Sequence, residues 1–241
     1  MKSTIRFRHG IDGSLPAYSL WLACLSSSVA LMAAPIGPEA PPQSAAATDS
    51  TTVYHIVSDR SELRLLVYRA GLLAAEGHNH VITSQSVSGE LHLASATDQS
   101  ALTLTLPLTS LEVDDPAARA QEGSDFTADV TAADAAATRA HMLGDRMLQA
   151  GEFPTITIVS TEVRGELPNV SIDASVTVRS KPYRVTLPAT VDIVGNQLTA
   201  VGEVTLTHEQ LGLTPYSALL NALLVKSEFK ARYRLVAASG P

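Results

Sequence analysis

Histidine carries most of the chemistry open to this chain. Gly77-His78-Asn79-His80 sets two imidazoles two positions apart. With Asn79 extended, both point to the same face and could share one metal ion. His141 or His208 could add a nitrogen, and Glu209 a carboxylate. Plainer readings compete with this. Histidines at a barrel rim can bond backbone groups, sit in solvent, or meet the polar head of an amphiphile. The head-group reading, with His78, His80, His141 and His208 on the rim, is preferred over a metal. Histidine with Glu209 or Asp145 could also exchange protons as acid and base. Against catalysis, the chain has no Gly-x-Ser-x-Gly and no phosphate loop, and its single cysteine is Cys24. Asp114-Asp115 reads as a solvated turn. The expectation is a protein that is not an enzyme and has no cofactor or resident metal.

These side chains need a frame, and the frame is written in strict alternation. Val170, Ile172, Ala174, Val176 and Val178 alternate with Ser171, Asp173, Ser175 and Thr177. Past Ser180-Lys181-Pro182, the beat continues through Tyr183, Val185, Leu187, Ala189, Val191 and Ile193. Gly195-Asn196 turns the chain, and Leu198, Ala200, Gly202, Val204 and Leu206 follow. Period-two patterning makes one apolar and one polar face per strand. Further strands are expected at Thr52–Val57, Glu62–Tyr68, Val87–Leu93, Ala101–Leu108, Thr155–Val163 and Glu228–Val236. The total is about nine or ten strands.

Asp114 to Leu148 breaks this pattern. It is alanine-rich, and Thr131–Met142 has helix propensity. Pro215–Leu224 reads as a short apolar helix or turn, in which Tyr216, Leu219, Leu220 and Leu223 cap the core; a portal is the less favoured reading. The predicted class is all-β: an antiparallel lipocalin-like β-barrel with a helical insertion and a short helix before the last strand. Closure leaves no exposed edge, and about eight strands can hold one small ligand.

The ends of the chain differ from its middle. Lys2, Arg6 and Arg8 precede an apolar stretch to Ala34, which reads as a secretory signal over residues 1–34. Lipidation at Cys24 and an uncleaved anchor are less favoured readings. Residues 35–51 are rich in Pro, Ala, Ser and Gln and read as a linker; the folded domain is expected over 52–238. The formal charge is −7, with no basic run after the leader, which argues against nucleic acid as a partner.

Three segments resemble the YceI-like proteins. Arg139-Ala140-His141-Met142-Leu143-Gly144, then Leu148, then Phe153-Pro154-Thr155-Ile156-Thr157-Ile158-Val159-Ser160 is similar to that family's central signature. Val178-Arg179-Ser180-Lys181-Pro182-Tyr183 and Gln210-Leu211-Gly212-Leu213-Thr214-Pro215-Tyr216 are similar to its later segments. The resemblance spans Val53 to Val236. It implies a periplasmic or secreted lipocalin-like barrel that binds a polyisoprenoid or similar amphiphile. Two departures touch polar groups: Gly77-His78-Asn79-His80 replaces a single histidine, and His208-Glu209-Gln210-Leu211-Gly212 replaces an arginine–acid–aromatic–glycine pattern.

The lining expected for such a ligand is Leu104, Leu106, Ile158, Val176, Val178, Leu187, Val191, Leu206, Phe229 and Tyr233. The small residues Ala174, Ala189, Ala200 and Gly202 favour a hollow interior. Each buried CH₂ contributes about 0.8 kcal/mol, so several isoprene units exceed the roughly 4–15 kcal/mol cost of association. An exposed head-group ion pair adds only about 0–1 kcal/mol. The partner expected is a hydrophobic small molecule or isoprenoid lipid; a membrane-protein partner and a homodimer stay open. The alternatives are a histidine-based metal-binding envelope protein and a structural or interaction domain with a filled core.

Overall fold

Period-two segments need partners on both sides, and the chain supplies them by closing on itself. The computed structural model describes residues 50–240 except 219 and 221. The leader, Cys24, most of the linker and Leu219 lie outside the described residues. The strands are β1 (Thr51–Ile56), β2 (Glu62–Ala70), β3 (His80–Ser84), β4 (Ser88–Ala94), β5 (Ala101–Pro107) and β6 (Glu112–Val113). After α1 (Pro116–Ala120) and α2 (Ala132–Leu143) come β7 (Thr155–Glu166), β8 (Asn169–Val178), β9 (Lys181–Val194), β10 (Gln197–Thr207), β11 (Ser217–Ala218) and β12 (Leu223–Ser239). The described residues thus hold more strands than the alternation shows: β6 and β11 are two residues each and too short to display a period, and the five-residue β3 starts at His80 with only Val81-Ile82 as its apolar signal.

Eight strands form the ring β1-β4-β5-β7-β8-β9-β10-β12. β12 closes it by pairing Ala237 to Ser239 with Ile56 to Tyr54 of β1. Earlier along the same edge β12 pairs with β2, so β1 and β2 share one side of the longest strand. β3 and β6 continue the sheet beyond β2.

Local chemistry sets the corners. Arg179 and Ser180 both have positive φ, the requirement of a tight primed turn between β8 and β9. Between β9 and β10 the two-residue turn Gly195-Asn196 needs positive φ only at Gly195, which sits at +60°. In β7 the register shifts between Ser160 and Glu162, so that Ile158 and Val163, an odd step apart, both face inward.

The helical insertion lies at one end of the barrel. Thr131 caps α2 by accepting the Asp134 N–H at 3.1 Å. Arg139 donates to the Leu111 and Thr109 carbonyls at 2.8 Å each, fastening the helix beside β6. Met142 is buried in the main core. α1 is capped by Asp115, whose carboxylate accepts the Ala118 N–H at 2.9 Å, and Pro116 follows at the first helical position. Ala118 and Phe126 cover the outer face of Leu66 and Val81.

Between Pro215 and Leu224 the chain turns rather than coils. Ser217 and Ala218 pair with Leu224 and Leu223, and the one-turn helix before the last strand lies earlier, at Glu209–Leu211. Helical capping of the core therefore gives way to a hairpin. Tyr216 lines the mouth of the interior, whereas Leu220 stands fully in solvent. Leu72 is exposed at the same end, and its loop is tied to that hairpin by the Leu73 N–H to Ala222 carbonyl bond of 2.8 Å.

One stretch of wall is not laddered. β9 and β10 pair from Val194–Gln197 to Thr190–Val201 and no further. Beyond that point β9 pairs only with β8, and β10 only with β12. Pro188 lies in this unpaired part of β9, where its missing N–H breaks no ladder.

Candidate functional site: a hollow apolar lumen

The inward faces of these strands enclose a cavity of about 530 Å³. That volume is within the range of small-molecule sites, roughly 300–1,000 Å³. The structure places Leu104, Leu106, Ile158, Val176, Val178, Leu187, Val191, Leu206, Phe229 and Tyr233 on its wall. Ala189 and Ala200 also line it. Ala174 is instead packed shut, and the space at Gly202 is taken by the Tyr233 phenol. No Asp, Glu, Lys or Arg among the described residues reaches the wall. The cavity can therefore desolvate an aliphatic chain without burying a charge.

The polar groups gather mostly at the end under α2. His80, His141 and His208 line the lumen there, and His78 does not. The four do not form one rim. The His208 ring is buried, its Nδ1 lies 2.7 Å from the Ser227 carbonyl, and its edge packs on Phe229 at 5.1 Å. His141 packs edge-on against Tyr216, with ring centroids 4.8 Å apart. Glu209 accepts the Ser227 hydroxyl, which chiefly holds its carboxyl below the usual range. Asp145 is exposed.

Asp114 corrects the sequence reading. It is not in a solvated turn: it is 5 % exposed, with φ of 57°. Its Oδ2 lies 2.6 Å from His80 Nδ1. Its Oδ1 accepts the Val81 N–H at 2.9 Å and Arg119 Nη1 at 2.6 Å. Burial pushes this carboxyl up, but the His80, Val81 and Arg119 hydrogen bonds outweigh it and hold the group below the usual carboxylate range. Asp114 is therefore an ionised acceptor, so His80 must donate Nδ1–H and leaves Nε2 unprotonated when neutral. Arg119 also donates to the carbonyls of Asn79, Phe126 and Ala128, which seats the loop before α2. The third member of the His78–His80 group is thus Asp114, not His141, His208 or Glu209. The signal present in the sequence was Asp115-Pro116, a helix start that demotes Asp114 from open turn to helix approach.

His78 packs edge to face with His80, ring centroids 4.6 Å apart. Burial, then the neighbouring His80, pushes its imidazole below the ordinary histidine value. At the unladdered wall, Tyr233 donates its hydroxyl to the Pro188 carbonyl, and burial raises its phenol to about 12.

Known proteins bear on this architecture. The structure is similar to Burkholderia cenocepacia BcnA, at 15 % identity and a TM-score of 0.55, covering 76 % of this chain and 99 % of that one. It is also similar to a polyisoprenoid binding domain from Saccharophagus degradans implicated in plant cell wall breakdown, at 10 % identity and a TM-score of 0.52, covering 78 % and 99 %. At these identities the likeness shows the barrel fold. No curated protein matches the chain. A family profile for the YceI-like domain matches residues 54–237, nearly all of the barrel, and the chain belongs to the YceI-like family.

Proposed function

We propose that this protein holds one hydrophobic amphiphile, with an isoprenoid tail, in its lumen and carries it unchanged. The observation that supports this most is the cavity of about 530 Å³ whose wall has no Asp, Glu, Lys or Arg among the described residues. Tail burial supplies the affinity, and the polar residues at the α2 end orient the head. The Saccharophagus degradans domain of similar fold is named for polyisoprenoid binding, which fits this reading. The basic n-region and apolar stretch of residues 1–34 fit delivery to the periplasm or beyond.

Native purification followed by organic extraction and mass spectrometry tests the proposal. An isoprenoid amphiphile in near-equimolar amount is the expected result. An extract without one, from a protein that also takes up no isoprenyl alcohol in vitro, would overturn it.

A further inference from the structure

We infer that His78 and His80 form a binding site for a divalent transition-metal ion, zinc above all, in which Asp114 orients His80 rather than ligating. The inference stands apart from lipid carriage, because metal uptake is read without any guest in the lumen, although His80 also borders that lumen.

His78 Nε2 is the starting point. Among the described residues it is the buried side-chain nitrogen or oxygen left without a hydrogen-bond partner. A buried polar atom left unpaired is costly, and an ion that accepts its lone pair removes that cost. His78, His80 and Asp114 can each present one ligand atom so that all lie within 4.8 Å of one another. With His80 held by Asp114, the adjustment that brings both imidazoles onto one ion falls to His78, whose ring already packs against His80.

Asp114 is already committed. Both its oxygens are taken, one by Val81 and Arg119 and the other by His80. A carboxylate paired with a buried guanidinium is a weak ligand, but it is well suited to the carboxylate–histidine–metal relay. There, one ring nitrogen donates to the carboxylate and the other binds the ion. That arrangement also fixes the His80 tautomer before any metal arrives.

Charge permits the ion. Asp114 and Arg119 cancel, and Asp134 at the start of α2 adds a negative charge felt by His78. Paired imidazoles suit zinc, copper and nickel better than calcium or magnesium. Two histidines leave two positions of a tetrahedral zinc for water or an anion.

The test titrates Zn(II) alone into the chelator-treated full chain, against a chromophoric competitor. One equivalent should bind. His78→Ala and His80→Ala should each abolish stoichiometric binding, and Asp114→Asn should weaken it about 10–100-fold. His55 on β1 and His92 on β4, which flank Glu90 and of which His92 also borders the lumen, provide the control, and the His55→Ala/His92→Ala double variant should bind as the parent does. Folding defects are bypassed in the unaltered protein: Zn(II) should shift the imidazole nitrogen resonances of His78 and His80 and leave those of His55 and His92 in place. No stoichiometric uptake, uptake that survives loss of both His78 and His80, or uptake reported only by His55 and His92 would each overturn the site.

Discussion

Tyr233 lies directly opposite Gly202 in the β10–β12 ladder, and its phenol fills the space a side chain on Gly202 would need. A Cβ there would overlap both the Tyr233 hydroxyl and the Pro188 carbonyl. Gly202→Ala should therefore lower the unfolding free energy by about 1–3 kcal/mol in urea denaturation. Adding Tyr233→Ala should not restore it, because the Pro188 carbonyl is backbone and cannot rotate away. Full rescue by the double variant would count against this geometry.

The phenol's bond to Pro188 sets behaviour in alkali. Burial raises Tyr233 to about 12, above its ordinary value, so the neutral phenol is the favoured form in the fold. Stability from this group is complete below about pH 10, where the unfolded tyrosine begins to ionise, and is lost as pH rises toward about 12. Phenolate absorbance should show one tyrosine resisting ionisation until then, and Tyr233→Phe should remove that resistant step. The same variant should cost about 0.5–1.5 kcal/mol at neutral pH.

Acid acts through His78 and Asp114, in the same direction. Both have folded-state values held below their ordinary ones. His78 contributes stability that is present above about pH 6.5 and lost as pH falls through its folded value; Asp114 contributes stability present above about pH 3.9 and lost below it. Urea midpoints measured across this range should fall in two stages. His78→Gln should flatten the upper stage. Asp114→Asn should cost about 3–5 kcal/mol at neutral pH, because it leaves Arg119 buried without its anion.

Lumen and packed core can be separated with two alanines. Ala200 borders the cavity, whereas Ala174 is fully buried and does not. Ala200→Phe should block uptake of an isoprenyl alcohol with little change in the melting temperature. Ala174→Phe should destabilise by about 1–3 kcal/mol through overpacking. Unimpaired uptake by Ala200→Phe would show that the guest lies elsewhere.

Alternation made much of this molecule legible in the sequence. A strand's period is local, so the inward residues of β8, β9, β10 and β12 could be read directly, and α2 lies within one residue of the span its propensity suggests. The polar cluster was not legible. His80 and Asp114 are 34 positions apart, and Arg119 reaches back 40 positions to the Asn79 carbonyl. Nothing in local composition reports such pairings. The hairpin at Ser217–Ala218 was missed for the opposite reason: four apolar residues at helical spacing outweighed a two-residue strand. The parting of β9 from β10 did leave a trace, a proline within an otherwise regular strand, whose meaning depended on knowing which edge it faced.

That parting gives the wall two kinds of closure. Most of the circumference is sewn by backbone hydrogen bonds, and one sector is fastened by side chains, the Tyr233 phenol on the Pro188 carbonyl and Arg179 on the Gly212 carbonyl. A side chain can swing aside on a timescale at which a strand ladder stays intact. Tyr233 thus ties two properties together: releasing its phenol loosens this sector and also gives up the stability of its hydrogen bond.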